Sequence, residues 1–144
     1  MAGIEKQTTV NAPAVKVFEY VSDISRHPEW AAHKLEVEKA SEGPVAAGST
    51  FACEGHQMGT HRGRVTVTEL VPNQKVVYES QDNTGLFRHW FTLREENGTT
   101  RLTKGMEALK PSGLFRILAP LVAALAVPRA LDGDLKRIKA KIGG

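Results

Sequence analysis

From Lys34 to Leu109 the chain repeats one pattern six times: a run that alternates apolar and polar residues, then a cluster of turn formers. Period two puts every second side chain on the same side of a pleated strand, so each run offers one apolar face. The runs are Lys34–Ala40, Ser49–His56, His61–Val71, Gln74–Ser80, Leu86–Glu95 and Thr100–Leu109. They are separated by Ser41–Pro44, Gln57–Thr60, Pro72–Asn73, Asp82–Gly85 and Glu96–Thr99. Links this short join antiparallel neighbours, and Asn97-Gly98 is the sequence of a tight hairpin. An antiparallel sheet of that size needs a layer over its apolar face.

The stretch long enough to supply it is Pro111–Ile142. Its second half places Leu131, Leu135, Ile138 and Ile142 on one helical stripe, with Lys136, Arg137, Lys139 and Lys141 on the other faces. Its first half has no polar face, because every residue from Ile117 to Val127 is apolar or proline. A straight helix over the whole stretch would be about 46 Å long, more than the roughly 35–40 Å expected of the domain. A break or kink is therefore expected at Pro120 or Pro128. Leu114, Phe115, Ile117, Leu118, Leu121, Val122, Leu125 and Val127 cannot all face one sheet. Those left over are deeply buried within the domain, form a homodimer interface, or dock on a membrane surface. Membrane docking suits the basic residues that follow.

Upstream, Ile4–Val10 alternates as a first strand. Asn11 is a good N-cap, Pro13 fits a first helical turn, and Val15, Val17, Phe18 and Val21 form the buried stripe of a helix ending near Asp23. A second helical turn is expected around Pro28–Trp30. The order is then strand, two short helices, six strands and a long helix, read as a single domain over residues 1–144.

Composition narrows the function more than it names it. A net charge of +3 does not argue for nucleic acid, and the excess sits in the last helix. The lone Cys53 excludes an intramolecular disulfide and is compatible with a reducing compartment. Met1–Val10 does not read as a signal peptide, and the apolar run at 117–127 is about half of what a spanning helix needs. A cytoplasmic location is expected.

The five histidines form no HxH, HExxH or Cys/His pattern, so no metal and no other cofactor is expected. His27, His33 and His61 read as solvent-facing. His89 shares strand parity with Phe87, Phe91 and Leu93; pointing inward, it orients a ligand's polar group or acts as a base, and it is the weak catalytic candidate. Glu54 and His56 oppose Phe51 and Cys53 in parity and read as solvent-facing. Cys53 reads as a small core hydrophobe.

The opening strand followed by Asn11–Asp23, the passage ending His27-Pro28-Glu29-Trp30, and the strand Asn97–Thr103 together resemble the START-like, Bet v 1-like helix-grip superfamily. The likeness is nearest to its polyketide cyclase/dehydrase and lipid-transport group. It implies an α+β helix-grip fold: a curved seven-stranded antiparallel sheet gripping the C-terminal helix around an apolar cavity. It also implies a small hydrophobic partner, such as a lipid, a polyketide or an isoprenoid or quinone-like molecule. Trp30, Phe51, Tyr78, Phe87, His89, Phe91, Met106, Leu121 and Leu125 are the expected lining. Binding or transport is the leading expectation. A cyclase or dehydratase acting on an aromatic or polyketide substrate and a chaperone-activator-like interaction module are the alternatives.

Overall fold

A computed structural model describes residues 3–31, 34–56 and 60–143. The elements run β1 (Ile4–Val10), α1 (Ala14–Val21), a 3₁₀ segment (Ile24–Glu29), β2 (Lys34–Lys39), β3 (Thr50–His56), β4 (Thr60–Val71), β5 (Lys75–Asp82), β6 (Gly85–Glu96), β7 (Thr99–Pro111), α2 (Gly113–Leu125) and α3 (Val127–Ile142). The seven strands form one antiparallel sheet in the order β1-β7-β6-β5-β4-β3-β2. This is the expected helix-grip arrangement, and all seven strands fall within a few residues of the periodic runs.

Turn chemistry sets the β6–β7 register. Asn97 and Gly98 both take positive φ, 54° and 80°, which two-residue hairpins need if the turn is to match the strand twist. Phe91 then lies opposite Lys104, His89 opposite Met106, and Leu93 opposite Leu102. On the opposite face, Trp90 lies across Gly105. A Cβ at Gly105 would fall 2.0 Å from the indole, so only glycine lets the ring lie flat there. Trp90 Nε1 donates to Glu5 Oε2 at 2.6 Å, which ties β6 to β1 across β7.

The C-terminal stretch breaks at Ala126, where Pro128 opens α3, while Pro120 sits inside α2. Proline lacks an N–H and is tolerated in a first turn, where that donor has no helical partner. α3 packs on β1 and β7, burying Leu131, Leu135 and Ile138. It does not cover the sheet alone. The 3₁₀ segment packs beside β2, and the residues around it bring Ile24, His27 and Trp30 into the core.

Two local expectations need correction. Val15 is 49% exposed, and the buried face of α1 is Ala14, Val17, Phe18, Tyr20 and Val21. The helix is also not capped by Asn11. Pro13 holds the N-cap position without a side-chain bond, and the Ala14 N–H instead donates to Glu95 Oε1 at 2.7 Å, a carboxylate reaching across from β6.

Candidate functional site

Strand parity places Phe51, Val65, Val67, Val76, Tyr78, Phe91, Leu93 and Leu102 on the covered face, all buried. Over them lies a run of aromatic rings. His27 packs on Trp30 at 4.6 Å and on Tyr78 at 5.3 Å. Tyr78 stacks on its cross-strand neighbour His89 at 5.0 Å, with the planes 11° apart. Phe91 meets the edge of Trp30 at 5.9 Å.

His27 therefore does not face solvent as its sequence context suggested. The 3₁₀ segment turns it inward, and its Nε2 donates to the Val21 carbonyl at 3.1 Å. Burial pushes its pKa down to about 3, with the nearby Lys104 ammonium adding to the shift. His61 is half-buried, with Nδ1 2.7 Å from Asn83 Oδ1. His33 lies outside the described residues.

One charge cluster is buried with these rings. Lys104 Nζ lies 3.5 Å from Asp134 Oδ2, while Asp134 Oδ1 accepts from Arg137 Nη2 at 2.7 Å. Arg137 Nε donates to the Trp30 carbonyl at 2.5 Å, so α3, β7 and the end of the 3₁₀ segment share one network. The ammonium also lies 5.4 Å from the Trp30 ring and 5.5 Å from Phe91, contacts whose attraction grows where water is excluded. Burial lowers the Lys104 pKa, and Asp134 opposes that shift.

The other interior groups are held neutral near pH 7. Burial takes His89 well below the usual imidazole range, with Lys104 adding to it. Burial raises the Tyr78 hydroxyl, with Asp134 as the next cause. It also pushes the Cys53 thiol up to about 11, away from the range of a reactive thiolate.

Two interior nitrogens, Trp30 Nε1 and His89 Nδ1, are enclosed without a hydrogen-bond partner among the described residues. His89 uses its other nitrogen on Ser80 Oγ, 2.9 Å away. Burial also declines along the covered face. In the cross-strand row Val76–Phe91–Lys104–Lys6 the first three are buried and Lys6 is half-buried, whereas in the next row Tyr78 is buried and His89, Met106 and Ile4 are half-buried. The covered face is therefore more open at His89 and Met106 than at Phe91 and Lys104.

Among the expected lining residues, Trp30, Phe51, Tyr78, Phe87, His89, Phe91 and Met106 share the covered side of the sheet. Leu121 and Leu125 stand apart, 58% and 61% exposed on α2. Sequence reasoning missed Lys104, Asp134, Arg137, Ser80 and His27. Lys104 carried a signal, since it sits at the apolar parity of its strand between Leu102 and Met106. Asp134 carried another, three residues after Leu131 on the buried stripe of α3.

The solvent face has a separate polar group at its β2–β4 end. Ligand atoms of Glu36, Glu54 and His56 lie within 4.8 Å of one another, beside an open hollow of about 610 Å³ lined by Glu54, His56, Thr60, Arg62 and Asn83. Arg62 Nε already occupies Glu54 at 2.7 Å, which supplies the positive charge there. A second hollow, of about 570 Å³, runs past Ala40, Ala52, Arg64 and Gln81.

A curved antiparallel sheet gripping a C-terminal helix, with an aromatic interior between them, defines a helix-grip protein. The chain belongs to the family described as polyketide cyclase / dehydrase and lipid transport, whose model matches residues 1–143. Among solved structures, a START superfamily protein from Mycobacterium smegmatis is similar with a TM-score of 0.78 at 16% identity, over 99% of this chain and 97% of that one. The Zhui aromatase/cyclase from Streptomyces is similar with a TM-score of 0.75 at 17% identity, over 97% and 92%. A protein from Thermus thermophilus is similar with a TM-score of 0.76 at 15% identity, over 97% and 96%. At these identities the likeness establishes the fold. A search of curated proteins returned no match.

Proposed function

We propose that the chain binds a small, mainly apolar molecule on the covered face of its sheet. A polar acceptor on that molecule would hydrogen-bond Trp30 Nε1, and His89 would orient its other end. The observation that carries this reading is the pair of enclosed nitrogens with no hydrogen-bond partner among the described residues, set among aromatic rings beside the Lys104–Asp134 pair. Leaving such a group unpaired costs about 1–3 kcal/mol, which a ligand acceptor recovers. Because the indole nitrogen only donates, it selects a carbonyl-bearing ligand over a plain hydrocarbon. Polyketides, quinones and related isoprenoids have that chemistry. The partial exposure of His89 and Met106 supports entry beside them.

Binding without chemistry is favoured over catalysis by the electrostatics. Lys104 and Asp134 pair with each other, while Tyr78 and both interior histidines stay neutral near pH 7. None is poised near neutrality as an acid–base catalyst requires. The Ser80–His89 couple favours a second reading, a cyclase or dehydratase in which His89 removes a proton from a bound polyketide.

The test uses a Trp90→Phe background, in which Trp30 is the only indole. Titration with naphthoquinones and aromatic polyketides is expected to change Trp30 emission, and Trp30→Phe is expected to weaken binding about tenfold when read by calorimetry. Native mass spectrometry of protein from its own host should find the bound molecule. Unchanged affinity in both Trp30→Phe and His89→Phe would refute the proposed orientation. Turnover of a polyketide that disappears in His89→Phe would establish the second reading.

A further inference from the structure

α2 turns its apolar side outward. Ile117 is 76% exposed, and Leu118, Leu121 and Leu125 are exposed with it. At 100° per residue these four, with the exposed Ala124, fall within about one third of the helix circumference. They therefore form a continuous stripe and not scattered residues. The helix contacts β6, β7 and α3, and these side chains stay exposed all the same. No acidic residue occurs between Glu107 and Asp132, while Lys110, Arg116 and Arg129 lie in that interval and are exposed. Glu107 itself is paired with Arg88, and Asp132 with Lys6.

We propose that α2 docks this chain on an anionic lipid surface, with Ile117, Leu118, Leu121 and Leu125 entering the headgroup–acyl boundary and Lys110, Arg116 and Arg129 meeting lipid phosphates. Charge decides for a membrane over a second copy. A two-fold pairing of this face sets the same uncompensated bases against each other, whereas an anionic leaflet complements all three. Docking in the interface plane agrees with the absence, among the described residues, of any helix long and apolar enough to span. The inference is independent of what the interior binds.

Sedimentation with vesicles of phosphatidylcholine alone, and of phosphatidylcholine mixed with phosphatidylglycerol, tests it on the full chain without added ligand. Binding is expected to the mixed vesicles and to weaken with salt. Arg116→Gln and Arg129→Gln should each lower partitioning about fivefold, and Leu121→Glu should abolish it. These positions are exposed, so an unchanged circular dichroism melt separates lost docking from lost folding. Three outcomes overturn the proposal: no binding to either vesicle, equal binding to both, or a wild-type dimer in light scattering that Leu121→Glu converts to monomer.

Discussion

The two helices of the C-terminal stretch use leucine in opposite ways. α3 is polar outside one short apolar stripe, yet Leu131, Leu135 and Ile138 are almost wholly buried. α2 is nearly all apolar and leaves Ile117, Leu121 and Leu125 mostly in water. Hydrophobicity summed over a helix therefore says little about how much of it folding uses. Placement against a partner layer decides, and α3 has β1 and β7 beneath it. α3 also carries the polar groups that fix the interior, Asp134 and Arg137, while α2 contributes none.

The sharpest way to break that contrast is through Asp134. Asp134→Ala leaves the Lys104 ammonium buried without its carboxylate, a loss of about 3–5 kcal/mol. Chemical denaturation should register it, and Lys104→Met in the same chain should restore much of the loss, because the buried charge is gone. Arg137, left without the carboxylate, is half-exposed and keeps its bond to the Trp30 carbonyl. A double variant as unstable as the single would show that packing by Asp134, not charge, matters. Leu135→Ala comes next, at about 3 kcal/mol for a closely packed leucine. It is read as a lower denaturation midpoint with an unchanged slope.

Acid probes the same interior without a mutation. His27 has a pKa near 3 in the folded chain against about 6.5 when unfolded, so the unfolded state takes up its proton first. Stability from this site is complete above pH 6.5 and is lost as pH falls toward 3, with a slope of about 1.4 kcal/mol per unit. The expected loss at pH 5 is on the order of 2 kcal/mol. His27→Gln should make that part of the pH–stability curve shallower, with His89, whose pKa burial also lowers, supplying slope of the same sign. An equally steep curve in the variant would assign the loss to other groups.

How much of this was legible beforehand depends on the range of the interactions. Strands and their turns were readable because alternation and Asn97-Gly98 are local signals, and the helix break near Pro128 follows from proline's missing donor. The inward turn of His27 was not readable. It depends on where the 3₁₀ segment lands on a sheet assembled from strands that extend to Pro111. The Glu95 cap on α1 and the Lys104–Asp134–Arg137–Trp30 network share that property, since each joins elements whose proximity exists only after folding. Lys104 and Asp134 are partial exceptions, because the parity of Lys104 with Leu102 and Met106 and the place of Asp134 three residues after Leu131 are local signals.

The smallest expected effect is the most informative about α2. Leu121→Ser removes an apolar side chain of the same kind as Leu135→Ala does, but from a site 58% exposed to water. Most of its transfer free energy is therefore not gained on folding, and serine's lower helix propensity adds only a few tenths of a kcal/mol. The change in unfolding free energy should stay within about 0.5 kcal/mol, roughly a sixth of that for Leu135→Ala. A loss as large as the Leu135 value would mean that α2 is bound down on a covered face, and the lipid-docking surface would go with it. A small loss combined with weaker vesicle binding would separate the two helices cleanly, α3 selected for the fold and α2 for what the folded chain meets.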